Sequence, residues 1–182
     1  MKHAGFRIKT YVEYRRRAVN QYGLHSPFLF EFYKACFGPA FKHSFPSISK
    51  LRSKLKRDKT EIQITDFGAG SLVYKSNNRR VSEMHASASI SKKQGEFLHR
   101  LVCYFKPKTI LELGTHLGLS SAYMALASET EIVTLEGCPS TAEVASQNHR
   151  ELDVENVKLK LGDFLDSLPE VLCKMKAVDM AY

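Results

Sequence analysis

The sequence lacks any long apolar run. None of its segments approaches the roughly 20 consecutive apolar residues that are needed to cross a bilayer. The first residues, Met1 to Gly5, lead into a charged segment and lack the apolar centre of a signal peptide. We therefore expect a cytoplasmic protein with no membrane partner.

Paired cysteines are missing as well. The four cysteines at positions 36, 103, 138 and 173 lie far apart, and no two of them form a C-x-x-C pair. This spacing argues against a disulfide framework and against a zinc site. We expect isolated thiols in a reducing compartment and no bound metal.

Acidic residues are scarce in the first third of the chain. Residues 1–60 contain 14 Lys and Arg against 3 Asp and Glu, whereas residues 61–182 contain 13 against 16. Such an asymmetry can mark an acidic partner, including nucleic acid. It can equally be the solvated face of ordinary helices, and the sequence leaves both interpretations open.

The N-terminal residues 1–60 are predicted to form a basic, helical cap. Ser26 followed by Pro27 is typical of a helix start, and a helix is expected from Pro27 to Phe37. Ile48, Leu51 and Leu55 predict a second, amphipathic helix with basic residues around it. Residues 61–90 are expected to form a connector with a short strand at 61–66, a turn at 68–71 and a polar loop at 76–80.

From residue 91 the pattern becomes regular. Ser91 and Gln94 form a capping box that begins a helix, and Pro107 ends it. Strands are then predicted at 109–113, 131–135, 157–161 and from about 177, each separated from the next by a helix. This alternation predicts an α/β fold with a Rossmann-like parallel sheet of about four strands and a helical N-terminal extension.

The loop after the first of these strands contains Gly114 and Gly118. Glycine allows a tight turn and a close approach of the backbone to a ligand, and the next helix offers free N–H groups to an anion. A dinucleotide fingerprint would need glycines where His116 and Leu119 stand. A P-loop is excluded because no Gly-Lys-[Ser/Thr] follows. The two glycines could also serve only the turn.

Two further loops carry acidic residues. Glu136, followed by Gly137, comes directly after the second strand, where a carboxylate can accept hydrogen bonds from both hydroxyls of a ribose. Asp163 follows the third strand and could accept a hydrogen bond from an exocyclic amine, with Phe164 beside the ring. Glu136 could instead be an exposed loop residue, and Asp163 could be only a helix N-cap.

These three segments, ILELGTHLGLSSAYMALA, VTLEGCP and LKLGDF, resemble the first motifs of class I S-adenosylmethionine-dependent methyltransferases. The resemblance is greatest to the O-methyltransferases that include catechol and caffeoyl-CoA methyltransferases, and it covers residues 89–182. It implies that residues 91–182 form a cofactor-binding domain for S-adenosylmethionine and that the methyl acceptor is a small molecule. The implied cofactor-binding residues are Glu112, Gly114, Thr115, His116, Gly118, Ser120, Glu136, Gly137, Asp163 and Phe164.

The resemblance also implies a sheet of about seven strands, of which this sequence reaches the fourth. We therefore expect a truncated, partial domain, and no catalytic residue can be named in it. An open sheet edge and the aromatic N-terminal helix would favour a homo-oligomer. The alternatives are a nucleic-acid-binding protein and a non-catalytic cofactor-binding protein that uses the basic region. The segment Asp66 to Ser71 imitates the glycine motif and is interpreted as a structural turn or lid.

Overall fold

The protein is described by a computed structural model that covers residues 2–18, 20–38, 43–65 and 77–182. The chain divides into two compact units, residues 1–41 and 42–182. The segment from Asp66 to Ser71 lies outside the described residues. In the described ranges, no helix is both long enough and apolar enough to pass through a bilayer.

Two helices lie in the part of the first unit that the structure describes. Helix α1 spans Lys2–Arg17, a short 3-10 turn spans Gln21–Gly23, and helix α2 spans Pro27–Phe37. The hydroxyl of Ser26 accepts a hydrogen bond from the backbone N–H of Leu29 at 3.4 Å, which satisfies one of the free donors of the first turn. The start and the end of α2 confirm the prediction.

The second unit begins with helix α3, Pro46–Leu55. Its Ile48, Leu51 and Leu55 are buried in the main hydrophobic core, while its lysines are exposed. The guanidinium of Arg52 donates a hydrogen bond to the carbonyl of Ile90 at 2.9 Å. The amphipathic helix is therefore docked by its apolar stripe and leaves its basic face in water.

Two short strands and a helix come next, and the sequence predicted only part of them. Strand β1, Glu61–Gln63, pairs antiparallel with β2, Asn78–Arg80, and helix α4 follows over Val81–Ala88. The prediction of a plain loop at 76–80 was wrong because β2 is held by its non-local partner β1. Helix α4 was not predicted, since the residue before it, Arg80, makes no side-chain cap.

Helix α5, Lys92–Phe105, begins with the predicted capping box. The hydroxyl of Ser91 accepts a hydrogen bond from the Gln94 backbone, and the Gln94 side chain accepts one from the Ser91 backbone N–H. The helix ends at Lys106, which has a left-handed backbone with φ 48°. This geometry reverses the chain just before Pro107 and directs it into the sheet.

The sheet confirms the predicted α/β fold. Its four strands are all parallel and lie in the order β5-β4-β3-β6. Along the chain the elements are β3 (Thr109–Leu113), α6 (Leu119–Ala125), β4 (Glu131–Glu136), α7 (Pro139–Glu151), β5 (Val157–Leu161), α8 (Phe164–Lys174) and β6 (Met180–Ala181).

Alternate residues of the strands enter two different cores. Ile110 and Ile132 pack in the main core with side chains of α3 to α6, whereas Leu111 and Val133 pack with Val171 of α8 in a smaller cluster. Both faces of the sheet are therefore covered at its centre, as expected for parallel strands. The chain runs outward from β3 to β5 and then returns to place β6 beside β3. Ligands bind at such a reversal, beyond the carboxyl ends of the strands.

Candidate functional site

The strand register brings the three predicted loops to one edge of the sheet. Leu113 lies opposite Leu135, and Glu136 lies opposite Leu161. The next backbone groups continue this pairing, since Gly114 N–H donates to the Leu135 carbonyl at 2.9 Å and Gly162 N–H to the Glu136 carbonyl at 3.0 Å. The segments that follow β3, β4 and β5 therefore start side by side.

The loop after β3 turns through unusual backbone conformations. Gly114 has φ +94° and open space where a Cβ would stand. His116 has φ 51° although it carries a side chain. Residues other than glycine rarely adopt this region, and those that do often lie at functional sites.

The carboxylate of Glu136 ties two of the loops together. One oxygen accepts a hydrogen bond from the His116 backbone N–H at 2.9 Å, and the other accepts one from the Cys138 backbone N–H at 3.0 Å. The thiol of Cys138 in turn accepts a hydrogen bond from Thr65 N–H at 3.4 Å. Glu136 is thus held in a fixed orientation at the end of β4.

Beneath this loop, Glu112 is completely buried. The hydroxyl of Ser120 donates to one of its oxygens at 2.5 Å, and the hydroxyl of Thr134 donates to the other at 2.6 Å. The Thr115 hydroxyl lies 2.6 Å from that of Thr134, and it donates to Thr134 when Glu112 is ionised, because the Thr134 proton is then given to Glu112. This network fixes the loop to its two strands.

Two ionisable groups of this region have displaced pKa values. Burial raises the pKa of Glu112 to about 7, against the opposing effect of the hydroxyls that donate to it. Burial also lowers the pKa of His116 to about 4, with a contribution from the nearby positive charges of His85 and Arg79. Near neutral pH, His116 is therefore neutral, and Glu112 is protonated in part of the molecules.

Two neighbouring cavities open above these loops. One, of about 520 Å³, is lined by Glu136, Gly137, Asp163 and Phe164. The other, of about 450 Å³, is lined by Gly114, Thr115 and Ser120. His116 and Ala88 line both cavities. Eight of the ten predicted residues thus line these two adjoining cavities, which we together call the cleft, and each cavity is of a size that suits a small organic ligand.

The other two predicted residues lie behind the wall of the cleft. Glu112 is under the loop, and Gly118 lines neither cavity. Gly118 has φ +74°, and a Cβ there would stand 2.6 Å from the Nε2 of His149. Its need for glycine is therefore explained by the turn and by His149.

Asp163 caps a helix and also lines the larger cavity. Its carboxylate accepts a hydrogen bond from the Leu165 backbone N–H at 2.7 Å and so caps helix α8. It also lines the larger cavity together with Phe164. A capping carboxylate can accept a further hydrogen bond from a ligand with its other oxygen.

The opposite wall of the cleft was missed by sequence reasoning. The larger cavity is also lined by Ile64 and Thr65, which follow β1, by Arg79 of β2 and by Met84 of α4. The smaller one is also lined by Ser89, Gln94 and Tyr182. Except for Tyr182, these residues belong to segments that precede β3 in the chain. Only the capping residue Gln94 carried a local signal, and that signal concerned the helix start.

In the described part of the chain, no three His, Cys, Asp or Glu side chains lie close enough together to hold a metal ion. Asp179 lies at the start of β6, where its carboxylate accepts hydrogen bonds from the backbone N–H groups of Lys108 and Thr109 at 2.8 and 3.1 Å. These bonds lower the pKa of Asp179. Asp179 is thus a structural residue at the far end of the sheet from the cleft.

Comparison with known proteins relates this chain to O-methyltransferases. The family model described as O-methyltransferase matches residues 71–182. Catechol O-methyltransferase of Niastella koreensis is 38% identical over 87 residues, which are 46% of this chain and 39% of that protein. The catechol O-methyltransferase of Mycobacterium tuberculosis is 36% identical over 84 residues, 44% of this chain and 38% of that protein. The chain thus matches about two fifths of the length of these curated relatives.

Solved structures agree with this result. A putative O-methyltransferase from Klebsiella pneumoniae is 26% identical with a TM-score of 0.57, over 78% of this chain and 54% of that one. The O-methyltransferase TomG from Streptomyces achromogenes, solved in complex with SAM, is 25% identical with a TM-score of 0.55, over 80% of this chain and 56% of that one.

Proposed function

Since the chain belongs to the O-methyltransferase family, we propose that its cleft binds S-adenosylmethionine and that it forms the cofactor-binding part of an enzyme that methylates a small molecule. The sulfonium of that cofactor supplies the methyl group. The residues of this chain bind and orient it. No catalytic base is assigned to the described residues.

The smaller cavity suits the methionine part of the cofactor. Gly114 has no Cβ, and a side chain there would fill the open space above its backbone. Thr115 and Ser120 line the same cavity, and Ser120 is in the first turn of α6, where backbone N–H groups can receive a carboxylate. The Ser120 hydroxyl is bonded to Glu112, so we assign carboxylate binding to the backbone of the turn rather than to this hydroxyl.

The larger cavity suits the adenosine part. Glu136 would accept hydrogen bonds from the two ribose hydroxyls, and Asp163 would accept one from the adenine amine. Phe164 would flank the ring. Ile64 and Met84, from the opposite wall, would cover its other face.

The observation that carries this proposal is the position of Glu136. Its carboxylate is held by two backbone N–H groups at the junction of the glycine loop and the larger cavity. Each carboxylate oxygen has further lone pairs that can receive the hydroxyls of a ribose.

Calorimetric titration with S-adenosylmethionine and S-adenosylhomocysteine tests the proposal. We expect both to bind, and Glu136→Ala to weaken binding at least about tenfold, or ~1.4 kcal/mol. Glu143→Ala, at an exposed position of α7, is the matched control and should bind as the unchanged protein does. Equal affinity of the Glu136→Ala and Glu143→Ala proteins would contradict the assignment of the ribose site.

The methyl acceptor and the assembly state are further proposals. A small-molecule acceptor agrees with the family, and self-association, which light scattering measures, stays a prediction. The nucleic-acid alternative rests on the charge balance alone, and the comparisons add nothing to it. A cytoplasmic location likewise stays a prediction.

A further inference from the structure

Helix α1 exposes an apolar stripe that its own unit does not explain. Ile8, Tyr11 and Val12 are 65%, 62% and 47% exposed. They stand at positions i, i+3 and i+4 and so share one face of the helix. An isolated helix of this length is only marginally stable in water, so a helix with its apolar face uncovered needs a partner.

The same helix is strongly basic. Within residues 5–17 it has Arg7, Lys9 and the run Arg15 to Arg17 against a single acid, Glu13. Glu13 and Arg17 stand on the face opposite the stripe, whereas Lys9 and Arg16 lie on one flank of it. Arg15, at i+3 from Val12, stands at the C-terminal end of the stripe. Phe6 and Tyr14 lie outside the stripe. The stripe is thus bordered by cations on both flanks and at its C-terminal end.

This combination of apolar stripe and positive charge discriminates between partners. A nucleic acid would neutralise the cations but would leave Ile8 and Val12 in water. A second copy of the helix would cover the stripe, but it would place Arg15 to Arg17 against the same run or against Arg7 and Lys9. An anionic bilayer accepts the apolar face between its head groups and attracts the cations at the same time.

We propose that helix α1 binds peripherally to membrane surfaces rich in acidic phospholipids. The apolar stripe lies at the level of the head groups and the flanking arginines contact lipid phosphates. The expectation of no membrane partner rested on the absence of a spanning segment, and a helix that lies in the interface needs none. This proposal concerns the first unit and does not depend on the cofactor site.

The test uses the complete chain and a fluorescent side chain. The sequence contains no tryptophan, so Tyr11→Trp introduces a single reporter on the stripe, and Glu13→Trp places one on the opposite face. Each protein is mixed with phosphatidylcholine vesicles with and without about 30% phosphatidylglycerol. We expect the protein to sediment only with the acidic vesicles and to be released at high salt. The emission should shift to shorter wavelength for Tyr11→Trp and stay unchanged for Glu13→Trp.

A second variant separates the apolar contribution from simple charge attraction. Ile8→Asp combined with Val12→Asp should lower the sedimented fraction about tenfold or more, because it places charge on the inserted face. No sedimentation of the unchanged protein, or sedimentation that this variant leaves intact, would overturn the proposal. A dimer by light scattering that the same variant abolishes would assign the stripe to a second copy instead. Binding of the Tyr11→Trp protein to duplex RNA but not to acidic vesicles, with the emission of the free protein, would assign the cations to nucleic acid and overturn the proposal.

Discussion

Glu112 of β3 and His116 of the loop that follows it are two ionisable residues whose pKa values are displaced in opposite senses. The pKa of Glu112 rises from 4.5 to about 7. Its contribution to stability is therefore complete below pH 4.5 and is lost as the pH rises through 7. The pKa of His116 falls from 6.5 to about 4. Its contribution is complete above pH 6.5 and is lost as the pH falls through 4.

The contributions of Glu112 and His116 to the free energy of unfolding oppose each other between pH 4.5 and 6.5. Replacing one of the two residues should therefore reveal the pH dependence that the other contributes. In Glu112→Gln the free energy of unfolding should rise more steeply over this range than in the unchanged protein. In His116→Asn it should rise less steeply or fall, and asparagine tolerates the positive φ at this position. In each variant, the slope of the free energy of unfolding against pH should differ from that of the unchanged protein by up to about 1.4 kcal/mol per pH unit. Urea unfolding at several pH values measures both, and parallel curves for all three proteins would contradict the displaced pKa values.

At the residue scale, the sequence predicted the cleft better than the contacts within it. The spacing of Gly114, Glu136 and Asp163 follows strand ends, and parallel register turns that spacing into proximity. The spacing could not indicate that the hydroxyls of Ser120 and Thr134 donate hydrogen bonds to Glu112. These contacts and the burial of Glu112 depend on non-local packing. Arg79 and Met84 were missed for the same reason.

Among the elements, α5 and α6 are in unusually close contact. A Cβ at Gly95 of α5 would lie 2.3 Å from the ring of Tyr123 in α6, whereas a Cβ at Gly5 of α1 would meet nothing within 4 Å. Tyr123 is fully buried and cannot move aside cheaply. The small residue at position 95 therefore sets the distance between the two helices.

We expect Gly95→Ala to destabilise the protein by about 1–3 kcal/mol, since it overpacks a closed interface. Gly5→Ala is the matched control and should leave the unfolding free energy unchanged or slightly raised, because alanine favours helix. Thermal or urea unfolding followed by circular dichroism compares the two. Equal effects of both substitutions would contradict the close packing of α5 on α6.

Helices with local start signals and the apolar strands β3 to β5 of the parallel sheet were predicted almost to the residue, while β2 and α4 were not. Ser26 with Pro27, and Ser91 with Gln94, mark helix starts by chemistry that needs no distant partner. Strand β2 depends on pairing with β1, and α4 is stabilised by Val81 and Met84 in the main core. The local sequence does not predict elements of that kind, because the contacts that stabilise them form only in the folded chain.

On the scale of the whole molecule, the cleft and the basic helix belong to different units. Every residue that lines the two cavities falls within residues 42–182, and α1 falls within residues 1–41. Removing α1 should therefore abolish binding to acidic membrane surfaces without abolishing cofactor binding.

A chain of residues 42–182 should bind S-adenosylhomocysteine with an affinity within about threefold of the complete chain, less than 1 kcal/mol, and should no longer sediment with acidic vesicles. Calorimetry and vesicle sedimentation measure the two properties, with circular dichroism as the control for folding. A folded fragment that has lost cofactor binding would mean that the first unit contributes to the cleft.

The contact between Gly118 and His149 also limits how this sequence can evolve. Position 118 is constrained twice, by its positive φ and by the imidazole of His149, whose Nε2 lies 2.6 Å from where a Cβ would stand. Position 149 is constrained in turn, because its ring accepts or donates hydrogen bonds with Ser121 and Gly118 at 2.9 and 3.2 Å. Among descendants of this chain, a smaller residue should appear at 149 before any other residue replaces the glycine at 118. Residues 118 and 149 are thus expected to change together in evolution, with the substitution at position 149 coming first.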